Sequence, residues 1–246
     1  MSAPVLGLDG ASLSFGDVTV LDGASVALDS GAFVALVGPN GSGKTTTLEL
    51  FAGLRAPDAG TVTRPTTSGR TVAYLPQSPR FRPGFTAREV VEFYGSLVGD
   101  AVDADAVLAR VGLSGAADRP VDDLSGGMTR LLGLAQALIG DPAVVVLDEP
   151  TSGLDPDVAD HIFETAAAMA ADGRLVLTTS HDLDAVSRYA DRVLLIADGE
   201  FVLDGSPTAL LERTGEGSLR AVFSSVVAGR GREAVAVDAR ADGGGK

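Results

Sequence analysis

A glycine-rich stretch with a single lysine constrains this chain more than any other feature. Residues 38–45 read Gly-Pro-Asn-Gly-Ser-Gly-Lys-Thr, which fits the pattern G-x-x-x-x-G-K-[ST]. The apolar run from Phe33 to Val37 before it predicts a strand buried on both faces, and residues 45–54 after it predict a helix. Glycines at such a turn let backbone N–H groups surround an anion, so the stretch predicts a phosphate-binding loop in an α/β fold. A glycine-rich turn without a ligand is the alternative.

The loop also predicts which groups would hold a nucleoside triphosphate. Lys44 would bridge the β- and γ-phosphates, and the hydroxyl of Thr45 would ligate Mg²⁺. Of the 19 basic residues only Lys44 and Lys246 are lysines, so a chain that otherwise uses arginine keeps a compact ammonium here. The predicted nucleotide-binding residues of the loop are Gly38, Pro39, Asn40, Gly41, Ser42, Gly43, Lys44, Thr45 and Thr46.

The composition excludes several classes of function. The 246 residues include no cysteine, which excludes disulfides, thiolate metal sites and a cysteine nucleophile. The 33 acidic and 19 basic residues give a net charge of -14, which would repel nucleic acid, so we expect no nucleic-acid partner. Adaptation to high salt and the codon usage of a GC-rich genome are both open as reasons for this acidity. With no secretory signal and no apolar stretch near the ~18 residues of a membrane span, we expect a soluble cytoplasmic protein.

Alternating strand and helix patterns predict a parallel sheet with crossover helices. Strands are predicted at 18–20, 25–28, 33–37, 71–75, 143–147, 175–179 and 193–196. Helices are predicted at 45–54, 89–97, 103–111, 127–139 and 156–171. The helix-rich stretch at 84–138 is expected to form an inserted lobe. The glycine-rich end of the chain, past Gly229, predicts a loose tail.

Two adjacent carboxylates follow the predicted strand at 143–147. Asp148 and Glu149 would lie at the C-terminal end of a parallel strand, where open α/β sheets place their ligands. Asp148 could hold Mg²⁺ through water, and Glu149 could polarise a water for in-line attack on the γ-phosphorus. An isolated Asp-Glu pair after a strand would be a solvated turn, but the phosphate-binding loop in the same chain favours a catalytic pair.

Six ordered motifs make the chain resemble the ATP-binding cassette family, the nucleotide-binding subunits of ABC transporters. Besides the loop and the carboxylates, they are Leu124-Ser-Gly-Gly-Met128, Tyr74-Leu-Pro-Gln77, Ser152-Gly-Leu-Asp155 and Thr179-Ser-His-Asp182. The resemblance spans about residues 4–214. It implies a P-loop NTPase fold, with a RecA-like parallel sheet core, an antiparallel β subdomain and a helical subdomain inserted at about 84–138. It also implies a nucleotide-binding domain at 4–216 and a short C-terminal extension at 217–246, flexible after 229.

The resemblance assigns roles to further residues. Phe15 stands where the family carries an aromatic that stacks on adenine, although a core phenylalanine is the alternative. His181 would sense the γ-phosphate, and Gln77 would touch Mg²⁺ or the attacking water. Catalysis is therefore expected from Glu149, His181 and Gln77, with Thr45, Gln77 and Asp148 at the metal. His161 falls within a predicted helix and is expected at the surface.

The resemblance further implies a dimer. In the family, the segment that matches Ser125, Gly126 and Gly127 closes on the nucleotide held by a second subunit, and Asp155 lies in a motif beside it. Two ATP molecules are then held between two chains in a head-to-tail arrangement, here expected to be a homodimer. Two residues depart from the family pattern, since Met128 replaces a usual glutamine and Gln136 a common arginine. Both bear on the fine geometry of the closed dimer.

The expected function is an ATPase subunit that powers a separate membrane permease, with ATP and Mg²⁺, at the inner face of the membrane. A basic and aromatic set is the expected docking surface: Arg80, Phe81, Arg82, Phe85 and Tyr94. Packing within the helical lobe is the other explanation for these residues. A soluble cassette ATPase without a transport role is the alternative function, and a small-molecule kinase would leave Ser125 to Gly127 without a role. The resemblance extends to exporter-type subunits and to accessory ATPases of copper delivery, and it names no cargo.

Overall fold

The computed structural model describes residues 5–66, 69–99 and 101–229. The strands are β1 (Leu6–Phe15), β2 (Val18–Leu28), β3 (Phe33–Val37), β4 (Ala59–Thr63), β5 (Val72–Leu75), β6 (Val144–Leu147), β7 (Leu175–Thr179), β8 (Arg192–Ala197) and β9 (Glu200–Gly205). The helices are α1 (Lys44–Ala52), α2 (Ala87–Val98), α3 (Ala104–Arg110), α4 (Gly126–Leu138), α5 (Pro156–Ala171), α6 (Leu183–Tyr189), α7 (Pro207–Thr214) and α8 (219–229). Short 3₁₀ turns cover Ser114–Ala116 and Val121–Asp123.

Two sheets organise the chain. The larger sheet has the order β5-β6-β7-β3-β8-β9, in which only β9 runs antiparallel to its neighbour. The smaller sheet, β2-β1-β4, is antiparallel. This confirms the predicted α/β class, with a parallel core and an antiparallel β part.

The central strands are buried on both faces because helices or the second sheet cover each side. Every residue of β3, β6 and β7 is buried, as expected for parallel strands. Val144 and Val146 pack in the cluster that includes the smaller sheet, whereas Val145 and Leu147 pack against α4 and α5. This arrangement places the C-terminal ends of β3, β6 and β7 at one edge.

Helix α1 carries the loop lysine between the two sheets. It packs against β5 and β6, and its side chains Leu48, Leu50 and Phe51 share a core with both sheets. Arg64 donates hydrogen bonds to the carbonyls of Leu50 and Phe51 at the C-terminal end of the helix. The helix is therefore fixed at its far end, and its N-terminus faces the edge where the strands end.

The helix-rich stretch packs onto the larger sheet. Helix α2 begins at a capping box between Thr86 and Glu89, and α4 begins at Ser125, whose hydroxyl accepts from the backbone of Met128. Among the described residues, the core of α2, α3 and α4 is continuous with that of β5, β6 and α5. The stretch therefore shares its core with the sheet, which fixes α4 relative to the strands.

The last described helix, α8, lies on the same side of the sheet as α6. Leu219 and Val222 are buried in a cluster with Leu183, Val186 and neighbouring strand residues. The loose tail predicted past Gly229 lies outside the described residues. Within the described ranges, no helix has the length and apolarity needed to cross a membrane.

Several elements differ from the sequence expectations. Strand β2 runs unbroken where two short strands were expected, because its pairing with β1 continues through bulges. No range was predicted for strands β1, β4 and β9 or for helices α6, α7 and α8. The expectation for His161 was wrong: the residue is half-buried, and its Nε2 lies 3.2 Å from the carbonyl oxygen of Val111.

Candidate functional site

The phosphate-binding loop connects β3 to α1 and is shaped by glycines. Gly43 precedes α1 with a φ of 97°, in the left-handed region that favours glycine. A Cβ on Gly43 would lie 2.9 Å from the carbonyl oxygen of Val20, and one on Gly38 would lie 2.3 Å from that of Ile196. Glycine is therefore required at both positions, and the loop is held against β2 and β8.

Lys44 lies inside the loop. Its Nζ donates hydrogen bonds to the carbonyl oxygens of Gly38 and Pro39, each at 2.9 Å. Burial lowers the pKa of Lys44, and the carboxylates of Glu149 and Asp148 oppose that effect. The ammonium therefore carries its charge into a site where two carboxylates face it.

A threonine of the neighbouring strand holds the Asp148 carboxylate and the backbone of Glu149. The hydroxyl of Thr179 donates to Oδ1 of Asp148 at 2.7 Å and accepts from the backbone N–H of Glu149 at 2.8 Å. Tyr74 donates a longer bond, 3.3 Å, to Oδ2 of Asp148. Glu149 has a φ of 45°, which is uncommon for a residue with a side chain. The strained backbone and its bond to Thr179 turn the Glu149 carboxylate into the same cavity as Lys44.

His181 approaches Glu149 from the loop after β7. Nε2 of the imidazole lies 3.0 Å from Oε1 of the Glu149 carboxylate. Burial raises the pKa of Glu149, against the opposing effects of His181 and Lys44. A carboxylate with a raised pKa is a stronger base, which suits a group that accepts a proton from water.

These groups surround one open cavity of about 290 Å³. Its lining residues are Val20, Asn40, Gly41, Gly43, Lys44, Thr45, Thr46, Gln77, Asp148, Glu149 and His181. The structure thus brings together residues of the loop, both carboxylates, the glutamine and the histidine. Gly38, Pro39 and Ser42 belong to the loop but do not line this cavity, and Ser42 is buried.

The oxygen donors in the cavity fit a magnesium ion bound together with phosphates. Thr45, Gln77 and Asp148 contribute a hydroxyl, an amide and a carboxylate to the same lining, the hard ligands that Mg²⁺ prefers. In the part of the chain that the structure describes, no group of three or more His, Cys, Asp or Glu residues could hold a metal.

Phe15 lies outside the cavity lining. It ends β1 with its side chain 45% exposed, so the alternative of a core phenylalanine is excluded. The guanidinium of Arg55 lies 4.8 Å from the ring centroid, and the backbone N–H of neighbouring Ser14 donates to Asp58. The ring is therefore fixed in place while a large part of its surface stays open to a ligand.

The segment Ser125 to Gly127 also lies apart from the cavity. Ser125 and Gly126 are exposed at the start of α4, and Gly127 is buried against Val158, whose Cγ1 would be 2.8 Å from a Cβ on that glycine. Asp155 is exposed at the start of α5 and makes no side-chain capping bond. Within the described residues, Ser125, Gly126 and Asp155 are therefore exposed polar groups outside the cavity lining.

Three residues that contact Asp148 or Glu149 were not predicted from the sequence to have a role: Thr179, Tyr74 and Arg130. Thr179 begins the Thr-Ser-His-Asp motif and Tyr74 begins the Tyr-Leu-Pro-Gln motif, but each acts through a contact with a residue distant in sequence. Arg130, on α4, donates to the backbone carbonyl of Glu149 at 3.2 Å. The pair Thr178-Thr179 at the end of an otherwise apolar strand was the available signal for Thr179.

The comparisons with known proteins agree with this geometry. The family model described as ABC transporter matches residues 21–152, more than half of the chain. The Nod factor export ATP-binding protein I of Burkholderia lata is 39% identical over 211 residues, which cover 80% of this chain and 69% of that protein.

Two solved structures share the fold. The ATP-binding subunit of an ABC transporter has a TM-score of 0.79 and 24% identity, covering 91% of this chain and 99% of the other. An ATP-binding cassette solved as a dimer in a post-hydrolysis state, with ADP and Pi, has a TM-score of 0.72 and 23% identity, covering 82% and 98%. The loop, the carboxylates and the histidine surround one cavity, and the comparisons show relatives of this chain. The chain therefore belongs to the ABC transporter family as an ATP-binding subunit.

Proposed function

We propose that the cavity binds ATP with Mg²⁺ and hydrolyses it with the residues that line it. The convergence of Lys44, Asp148, Glu149 and His181 on one cavity carries this proposal. Lys44 and the loop amides hold the phosphates, Thr45, Asp148 and Gln77 hold the Mg²⁺, and Phe15 stacks on adenine. Bound Mg²⁺ would neutralise phosphate charge.

Hydrolysis follows from the position of Glu149. Its carboxylate accepts a proton from a water whose oxygen forms a new bond to the γ-phosphorus, while the bond to the β–γ bridging oxygen breaks. His181 contacts the γ-phosphate, and Gln77 orients the water. The products are ADP and inorganic phosphate.

Two chains are needed to complete each site. Ser125, Gly126 and Asp155 are exposed and lie outside the cavity of their own chain. Exposed N–H groups at the start of the 13-residue helix α4 suit an anion. We therefore assign them, with Gly127, to the nucleotide of a second copy in a head-to-tail homodimer. Met128 is half-buried in the first turn of α4, beside these residues, whereas Gln136 is half-buried in the last turn of the helix.

The variant Glu149→Gln tests this function. It should bind ATP and form a dimer visible by light scattering, while turnover falls by about 10²–10⁴-fold because the proton acceptor is lost. The exposed Glu164→Gln is the matched control and should keep wild-type turnover. Unchanged turnover in Glu149→Gln, or a monomer at saturating ATP, would contradict the proposal.

The permease would dock on α2 and the segment before it. Phe93 and Leu97 are exposed apolar side chains on α2. The ring of Phe93 contacts those of Phe85 and Tyr94 edge to face, and the guanidinium of Arg82 lies 5.1 Å from the centroid of the Phe85 ring. An aromatic cluster with exposed apolar neighbours is typical of an interface anchor. Arg80 is exposed, whereas Phe81 is half-buried and packs against the core, as Phe85 and Tyr94 also do.

Co-purification with a membrane permease tests this surface. Phe93→Asp combined with Leu97→Asp should abolish the complex and leave the ATPase activity of the free subunit unchanged. Leu54→Asp, at an exposed position just after the C-terminal end of α1, is the control. A complex that survives the double change would contradict the assignment.

The proposed direction of transport is export. The relative from Burkholderia lata is named an export ATP-binding protein, with 39% identity. On this proposal the domain at 4–216, with its helical part at 84–138, works at the inner face of the membrane. A soluble ATPase without a permease is the alternative, and the co-purification above separates the two.

A further inference from the structure

A second cavity lies behind the phosphate-binding loop, on the side of α8. It has a volume of about 340 Å³ and is lined by Gly38, Ser180, His181, Arg220, Phe223 and Ser224, with apolar residues at its base. We call it the rear cavity. It shares His181 with the ATP cavity, and Gly38 is the first residue of the loop. The rear cavity therefore adjoins the place where the γ-phosphate is cleaved.

The lining of the rear cavity suits an anion. Arg220 brings a guanidinium, His181 an imidazole, and Ser180 and Ser224 hydroxyls, whereas none of the described lining residues is acidic. The Ser180 oxygen accepts from the backbone of Asp182 at 3.0 Å, which leaves its hydroxyl hydrogen to donate elsewhere. In a chain with a net charge of -14, a cavity with a cation and without a carboxylate is unusual.

The helix that carries the cation is held in place. Leu219 and Val222 are buried against Leu183 in the loop and helix that follow His181. Nη2 of Arg220 lies 3.7 Å from a carboxylate oxygen of Asp184 on α6, and the Arg220 side chain is 62% exposed. A pair this long and exposed is weak, so the N–H donors of the guanidinium are available to a ligand.

We propose that the rear cavity binds the inorganic phosphate that hydrolysis produces, and that Arg220 receives it. This rests on the proposed function, in which the second chain covers the ATP cavity from the front. Phosphate is a tetrahedral anion that takes hydrogen bonds from guanidinium, imidazole and hydroxyl donors. His181, which lines both cavities, is placed to contact the anion on each side.

Titration of inorganic phosphate into nucleotide-free protein tests this inference. All proteins in this titration carry Lys44→Ala, because this substitution weakens phosphate binding in the ATP cavity. The titration itself needs no ATP hydrolysis. Phosphate should bind to this protein by calorimetry, and adding Arg220→Gln should lower its affinity about tenfold, as loss of a charge-assisted hydrogen bond implies. Adding Ser224→Asp, which puts a carboxylate in the rear cavity, should abolish binding. The matched control Arg213→Gln, an exposed arginine on α7, should change nothing.

Each outcome decides the inference. It is overturned if Lys44→Ala protein binds no phosphate, or if Arg220→Gln and Ser224→Asp leave the affinity unchanged. It is also overturned if Arg213→Gln lowers the affinity as much as Arg220→Gln, because the effect would then be general electrostatics. A failure of the proposed function would be seen separately, as an absence of ATP binding to the wild-type chain.

Discussion

Nε2 of His181 lies 3.0 Å from Oε1 of Glu149, so the proposed γ-phosphate sensor and the proposed base are in direct contact. Burial raises the pKa of the Glu149 carboxyl, and the imidazole opposes that rise. On the proposed function, a γ-phosphate bound to His181 would compete with the Glu149 carboxylate for the imidazole. The availability of the base would then depend on the substrate.

The raised pKa of Glu149 predicts how the stability of the protein depends on pH. The folded state binds this proton more tightly than the unfolded state, so the ionised carboxylate costs stability at pH values above the raised pKa. Glu149→Gln removes this cost. The variant should melt at a higher temperature than wild type at pH 7. This difference in melting temperature, the gap, should narrow as the pH falls toward 4.5, the ordinary pKa of a glutamate carboxyl.

Melting curves between pH 4 and pH 8 would measure this gap. The exposed Glu164→Gln is the control and should show no comparable gap at any pH. Equal melting temperatures for wild type and Glu149→Gln across the range would contradict the buried, destabilising carboxylate.

Arg130 should position Glu149 by holding the backbone carbonyl of Glu149. Its guanidinium donates to the Glu149 carbonyl at 3.2 Å, so α4 is tied to the residue that activates water. Loss of this charged hydrogen bond in Arg130→Gln should lower kcat about tenfold, with little change in ATP affinity. Arg130→Lys, which keeps a donor, should recover part of the rate.

Kinetics with a separate measurement of nucleotide affinity would test Arg130. Arg110→Gln, which removes a surface pair with Asp172, is the control and should behave as wild type. A loss of ATP affinity with an unchanged kcat would show that Arg130 acts on binding and not on Glu149.

Phe15 should govern affinity for the base. Stacking on an aromatic ring contributes ~1–3 kcal/mol per base, so Phe15→Ala should weaken ATP binding by about 5- to 150-fold. Because the side chain is 45% exposed, the melting temperature should change little, and Phe15→Tyr should keep the affinity. Fluorescent-nucleotide titration measures this, and wild-type affinity in Phe15→Ala would exclude the stacking role.

The parts of the fold predicted correctly are those with strong local patterns. The run at 33–37, the glycines of the loop and the helix after it form one continuous unit, and the structure has β3, the loop and α1 there. Strand β4 has a mostly exposed pattern and contains Gly60, so it lacks the apolar alternation that identifies a strand. Its existence depends on pairing with β1, which is distant in sequence.

The site divides in the same way. Residues in contiguous motifs, such as Lys44 and Glu149, could be identified from the sequence because spacing alone defines them. Thr179 and Arg130 act across 30 and 19 residues of sequence, and only the pairing of β6 with β7 and the packing of α4 bring them to Glu149. The exposed position of Phe15 likewise depends on the β1–β2 hairpin.

On the proposed function, each ATP is held by the loop of one chain and by Ser125 to Gly127 of the other. The most direct test mixes two inactive variants, Lys44→Ala and Ser125→Arg. In the mixed dimer, one site combines the intact loop of the Ser125→Arg chain with the intact segment of the Lys44→Ala chain. Mixing should restore ATP hydrolysis well above either variant alone, whereas adding Lys44→Ala to itself or to a Lys44→Ala/Ser125→Arg chain should not. Activity of the mixture equal to the sum of the separate variants would contradict a site shared between two chains.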